Sequence, residues 1–199
     1  MKYENAYRAL ESRGYLPASA PLWTAADGQY GLWRRSDGGR RLLVVFGQAQ
    51  GFEGLRQAEG GDMWQECPLS HDNLLALQQR FPELKPVSLE GHDVTMGLGD
   101  RLGLVSGAHI AALSGTGVFP VLAQQSKREL TLTGRSYRRM LDDVAWQVFE
   151  AGYHGGYAAD GDHLKTLAEV QAAIQDGATM ITLDCSEHID PDAYRLDAD

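Results

Sequence analysis

The sequence lacks several features that would place it in a class at once. It has only two cysteines, Cys67 and Cys185, and no C-x-x-C pair, which excludes a disulfide framework and favours a reducing compartment. No apolar run approaches the ~20 residues of a transmembrane helix, and the N-terminus has no apolar core of a signal peptide. Acidic residues outnumber basic ones and give a net charge of −9. This charge argues against binding to nucleic acids or to anionic membranes. A cytoplasmic protein is therefore expected.

The chain changes character near residue 90. Before that point, a strand-like run at Leu42–Phe46 lies among glycine-rich turn clusters, and a helix is expected from an N-cap at Ser70 to a stop at Phe81-Pro82. Residues 1–90 are therefore predicted to form a small mixed α/β lobe.

Residues 91–199 alternate between strand and helix patterns. Tyr137, Met140, Leu141, Val144 and Val148 recur with helical spacing before Gly152, and Thr166 with Glu169 forms a capping box for a later helix that ends at Gly177. This later helix is expected to turn Leu167, Val170 and Ile174 inward. Strand candidates are Val94–Gly99, Val118–Ala123, Gly156–Ala159 and Met180–Leu183. Such alternation predicts a parallel sheet. A doubly wound sheet and a (β/α)₈ barrel both fit, and in both the function lies at the carboxyl ends of the strands.

The segment Asp160-Gly-Asp162-His163 follows a strand candidate and concentrates polar chemistry there. Asp162 and His163 can converge only if the strand ends and the backbone turns, which Gly161 would permit. A metal or acid/base site and a solvated loop are both open on this spacing.

A second mixture of carboxylates and an imidazole follows the next strand candidate, in Asp184, Glu187, His188 and Asp190. Carboxylates and imidazoles suit Zn, Mn, Ni or Fe ions; a polar helix start is the alternative.

Asp100-Arg101 follows the first of these strands, with His109 eight residues later. An arginine there can bind a carboxylate through two hydrogen bonds, although a structural ion pair at a tight turn would have the same pattern.

From about residue 90 to the end, the sequence resembles the tagaturonate/fructuronate epimerase family. The segments that carry the resemblance are Met96–Leu104 with His109, Ala159–His163 and Ile181–Asp190. The resemblance implies a (β/α)₈ TIM-type barrel, a divalent metal cation (Zn, Mn, Ni or Fe) and epimerisation of a keto-hexuronate at carbon 4. It suggests Asp162 as the proton acceptor and His163 as a metal ligand. By position at the strand ends, Asp100, Arg101 and His109 would lie on the substrate side, and Glu187 is a further substrate-binding candidate.

Members of that family are considerably longer, and their remaining ligands come from later strands. The expected fold is therefore a partial (β/α)₈ barrel of about four βα units over residues 91–199. The expected function is that of a keto-uronate epimerase or the N-terminal portion of one. The alternatives are a non-catalytic fragment that needs self-association or a missing C-terminal half, and another metal-dependent sugar isomerase.

Overall fold

The computed structural model describes residues 2–19, 21–100, 102–190 and 192–193. In the N-terminal part the elements are α1 (Glu4–Ser12), β1 (Tyr15–Pro17), β2 (Trp23–Ala25), β3 (Gly28–Arg35), β4 (Arg41–Gly47), β5 (Leu55–Glu59), β6 (Asp62–Cys67) and α2 (His71–Gln78). Then follow β7 (Thr95–Gly99), α3 (Ser106–Leu113), β8 (Phe119–Gln124), α4 (Lys127–Thr133), α5 (Tyr137–Glu150), β9 (Ala158–Leu164), α6 (Leu167–Asp176) and β10 (Met180–Leu183). Single 3₁₀ turns occupy Pro82–Leu84 and Ser186–His188. Within the described part of the chain, no helix is long and apolar enough to cross a bilayer.

The strands before residue 90 form an antiparallel sheet, in the order β1-β3-β4-β6-β5 with β2 paired to β3. Its central strand β4 is the predicted Leu42–Phe46 run, and side chains alternate between two cores: Leu43 and Val45 face one, while Val44 and Phe46 face the other. The predicted helix begins as expected at Ser70, whose Oγ accepts from the Asn73 amide. The mixed α/β character predicted for this part is confirmed.

The second sheet is parallel, and its strands lie in chain order, β7-β8-β9-β10. The crossovers run through α3, through α4 and α5, and through α6. A doubly wound sheet reverses its strand order at a switch point, whereas this sheet adds each strand beside the previous one. The predicted parallel α/β organisation is confirmed, and closure into a barrel stays a prediction.

Helix α5 fits the sequence pattern closely, because all five of its periodic apolar residues are buried. Helix α6 fits it less well. Its capping box and its end at Gly177 are as predicted, but Leu167 and Ile174, which were expected to face inward, are 73% and 56% exposed. The residue that α6 buries is Ala173.

The largest apolar core crosses residue 90. It joins Leu43 and Leu77 of the N-terminal part to Leu122, Val144 and other residues of the C-terminal part. A division into units at residue 90 stays a prediction, and the described core is continuous across it.

Candidate active site

A cleft of about 900 Å³ lies at the carboxyl ends of the four parallel strands. Gly99 of β7, Gln124 of β8, Asp162 and His163 of β9, and Thr182 of β10 line it. This is the end of a parallel sheet where α/β proteins bind their ligands.

Asp162 and His163 meet in the cleft through the backbone of His163 itself. Strand β9 continues to Leu164, so the expectation that the strand ends before the pair is wrong. His163 takes the left-handed conformation, with φ 57°, and this change in direction turns its ring back towards Asp162. The ring Nδ1 lies 2.7 Å from the Asp162 Oδ1.

Gly161 has a role other than the predicted turn. Its φ is not positive, and the residue lies inside β9 against β10 and α6. A Cβ at this position would approach the Ile181 Cδ1 to 2.9 Å, and the Ala173 Cβ and Leu164 Cδ1 to 3.1 Å. Close packing against these side chains therefore favours glycine at this position.

The Asp162 carboxylate controls the His163 ring. Because a carboxylate only accepts hydrogen bonds, Nδ1 must carry the proton of this bond. The hydrogen bond with Asp162 raises the pKa of His163, and the negative charge of Asp162 adds to the effect; desolvation opposes it, and the charges of Asp184 and Glu129 contribute further to the rise. The bond leaves Nε2 as the ring nitrogen that can bind a metal ion or exchange a proton.

Asp160 lies beneath the floor of the cleft, which Gln124 and Thr182 help to form. It is fully buried, and its Oδ2 accepts hydrogen bonds from the Gln124 Nε2 at 3.1 Å and from the Thr182 hydroxyl at 2.7 Å. Its Oδ1 is buried and has no hydrogen-bond partner among the described residues. Sequence reasoning did not identify the buried role of Asp160, because strand alternation places Asp160 and Asp162 on the same face.

Charged side chains surround the cleft and are largely paired. The Lys165 Nζ lies 2.6 Å from the Glu187 Oε1 and 3.6 Å from the Asp184 Oδ2, and the bond to Glu187 is the main cause that raises the pKa of Lys165. Lys127 lies 3.4 Å from Glu169. Glu187 is therefore at the rim, 68% exposed and engaged with Lys165. Its predicted substrate role stays a prediction.

Of the other predicted substrate residues, Asp100 and His109 are not among the described residues that line the cleft. Asp100 accepts backbone hydrogen bonds from Leu102, Gly103 and Val105 at 2.6–3.2 Å, which favours a structural role in the β7–α3 loop. Arg101 lies outside the described residues. His109 is on α3 and is absent from the described lining of the cleft. The substrate roles of all three stay predictions.

The donors present provide only part of a metal site. Across residues 2–19, 21–100, 102–190 and 192–193, no three His, Cys, Asp or Glu side chains converge to hold an ion. His163, with Nδ1 held by a carboxylate, nevertheless has the arrangement of a metal-ligating histidine oriented by its neighbour. The fit is that of one ligand, while divalent ions of this kind take four or more.

Comparisons with known proteins agree on one family. A family model described as tagaturonate epimerase matches residues 27–199. The tagaturonate/fructuronate epimerase of Thermotoga maritima is 44% identical over 154 residues, which cover 75% of this chain and 31% of that protein. The crystal structures of fructuronate-tagaturonate epimerase UxaE from Cohnella laeviribosi, native and glycerol-complexed, match at 36% identity with a TM-score of 0.84. The matched region covers 99% of this chain and 40% of the Cohnella laeviribosi chain, so this chain spans less than half the length of these relatives.

Proposed function

This chain belongs to the tagaturonate epimerase family, and we propose that it is the N-terminal portion of an enzyme that interconverts D-tagaturonate and D-fructuronate by inverting carbon 4. The observation that carries the proposal is the Asp162–His163 pair, held 2.7 Å apart at the carboxyl-end cleft of a parallel sheet in a chain of this family.

The parallel sheet is proposed to be the first part of a (β/α)₈ barrel. Its strands follow chain order, as barrel strands do, and the relatives continue well beyond the matched part. Helix α6 leaves Leu167 and Ile174 exposed, and Leu183 at the end of β10 is 62% exposed. Further βα units would cover these apolar side chains and pair with β10.

A divalent ion (Zn, Mn, Ni or Fe) is proposed to bind beside His163, with Nε2 as one ligand and the others supplied by the part of the fold that this chain does not span. When bound, such an ion supplies Lewis-acid polarisation of the substrate carbonyl.

Asp162 is proposed to move the proton of the substrate's C4 hydroxyl. Carbon 4 is not adjacent to the C2 ketone, so simple enolisation cannot invert it. Retro-aldol cleavage can: the C4 hydroxyl loses its proton, the C3–C4 bond breaks to give an aldehyde and an enolate, and re-addition to the other face of the aldehyde restores the bond. Asp162 would accept the hydroxyl proton and return it, with its other oxygen held by His163.

The substrate carboxylate is proposed to bind Arg128. Of the described cations that line the cleft, Lys127 and Lys165 are engaged in ion pairs, whereas Arg128 is exposed and forms no ion pair with another described residue. Guanidinium and carboxylate can form two parallel hydrogen bonds.

The experiment is NMR detection of D-fructuronate formed from D-tagaturonate, with Mn, Ni, Zn or Fe added. The chain is assayed alone and mixed with the unmatched remainder of the Thermotoga maritima relative. We expect conversion by the wild type, at least in the mixture, and loss of conversion in Asp162→Asn. Asp37→Asn, an isosteric change in an exposed turn of the N-terminal part, should keep it. Absence of conversion in both settings with folded protein would contradict the proposal.

A further inference from the structure

The floor of the cleft has a hydrogen-bond pattern in which neither Asp162 nor His163 takes part. Gln124, Asp160 and Thr182 come from three adjacent strands, β8, β9 and β10. The first and the last both donate to the same oxygen of Asp160 and both also line the cleft. Asp160 thus orients two side chains that a ligand can touch.

Asp160 determines whether these two side chains present hydrogen-bond donors or acceptors to the cleft. A threonine hydroxyl has one proton, and that of Thr182 is donated to Asp160 over 2.7 Å. The hydroxyl can therefore present only lone pairs to the cleft. The carboxylate likewise attracts the nitrogen of the Gln124 amide, which fixes where its oxygen points.

Two features accompany this arrangement. A Cβ on Gly97 would approach the Gln124 amide nitrogen to 2.6 Å and its oxygen to 2.7 Å, so the glycine in β7 leaves room for the Gln124 side chain in its present orientation. Asp160 also keeps a buried Oδ1 without a partner among the described residues. A buried acceptor left unsatisfied destabilises the fold, and an apolar residue would avoid that cost. An aspartate here therefore indicates function rather than packing.

We propose that Asp160 is a positioning residue that makes Thr182 a hydrogen-bond acceptor for a hydroxyl group of a ketose substrate. The inference rests on the proposed function in taking the cleft as the sugar site. The ligand class is a polyhydroxylated ketose with or without a carboxylate, because the floor recognises hydroxyl groups.

The test measures binding of D-fructose and of D-fructuronate to the chain by NMR titration. Thr182→Val should weaken binding of both sugars about tenfold, as expected for one lost hydrogen bond and an unpaired neighbour, while Thr182→Ser should retain binding within about twofold because it keeps the hydroxyl. Thr95→Val is the matched control, since Thr95 is exposed at the opposite end of β7. Asp160→Asn should weaken binding of both sugars and shift the side-chain amide resonances of Gln124.

Each outcome decides a different point. Wild-type affinity in folded Thr182→Val and Asp160→Asn would overturn the positioning role, and so would the absence of binding of either sugar to the folded wild type. If both sugars bind with the expected pattern but uronate is never converted, the positioning role stands and the epimerase proposal fails. If uronate is converted and these variants leave KM and kcat unchanged, the epimerase proposal stands and the positioning role fails.

Discussion

Lys127, Arg128 and Lys165 bring positive charge to the cleft, and their partners distinguish them. Lys127 lies near Glu169 and Lys165 near Glu187, so both charges are already balanced within the protein. Arg128 adds a charge that a ligand can balance. Among the described cations that line the cleft, Arg128 is thus the one that a ligand carboxylate can bind without breaking an existing ion pair.

Arg128→Gln should weaken D-fructuronate binding by roughly tenfold to a hundredfold, because hydrogen bonds to charged groups contribute about 1.5–3 kcal/mol. Binding of the neutral D-fructose should change little. Lys127→Gln removes the same formal charge from the neighbouring residue and should have the smaller effect on the uronate. Calorimetric titration of both sugars measures this, and an equal loss for both sugars in Arg128→Gln would contradict a carboxylate contact.

At the scale of elements, β9 combines tight packing with polar chemistry. Its Gly161 packs against Ile181 of β10 and Ala173 of α6, and its last residues then project Asp162 and His163 into the cleft. The position of the Asp162–His163 pair consequently depends on how closely these elements approach each other.

Gly161→Ala should lower the free energy of unfolding by about 1–3 kcal/mol, the usual effect of overpacking a core. Gly107→Ala is the matched control: Gly107 lies in α3 with open space around it and no positive φ. Because alanine favours helix over glycine, it should raise the stability by about 0.5–1 kcal/mol. Urea denaturation measures both changes, and equal stability of the two variants would contradict the packing role of Gly161.

Sequence patterns predicted the elements whose local signals agree with their packing. Helix α5 has a regular apolar face, and Asp162 and His163 lie at the carboxyl ends of the strands, as the alternation of strands and helices predicted. Helix α4 was missed, although Ser126 and Glu129 form a capping box at its start, because it is short and polar. The full length of β9 was missed because its end is as polar as a loop, and the convergence of its two residues depends on the backbone of His163, which residue spacing does not reveal.

At the scale of the whole molecule, α5 connects the two sheets. The indole nitrogen of Trp23 donates to the Phe149 carbonyl over 3.0 Å, Glu150 pairs with Arg34 and Arg41, and other residues of α5 belong to the shared core. The antiparallel sheet therefore supports the helix that packs behind the cleft strands.

One of these connections is expected to depend on pH. Asp142 of α5 lies 2.9 Å from the His71 ring of α2. Burial raises the pKa of Asp142, and Asp143 adds to the shift, while the hydrogen bond and charge of His71 and the charge of Arg138 oppose it. The folded protein therefore binds more protons than the unfolded chain between the ordinary and the raised pKa of this carboxyl.

The stabilising contribution of this proton is fully present below the ordinary aspartate pKa, and it is lost as pH rises through the raised pKa of Asp142. Asp142→Asn cannot titrate, so its unfolding free energy should fall less steeply than that of the wild type over this acidic interval. Asp37→Asn should leave the fall at least as steep as in the wild type, because the pKa of Asp37 is lowered, chiefly by the Gly39 amide, and removal of a contribution of the opposite sign cannot make the fall shallower. Urea unfolding at a series of pH values compares the three proteins. An undiminished fall in Asp142→Asn would place the proton uptake elsewhere and remove the carboxyl between α2 and α5 as the pH-dependent contact.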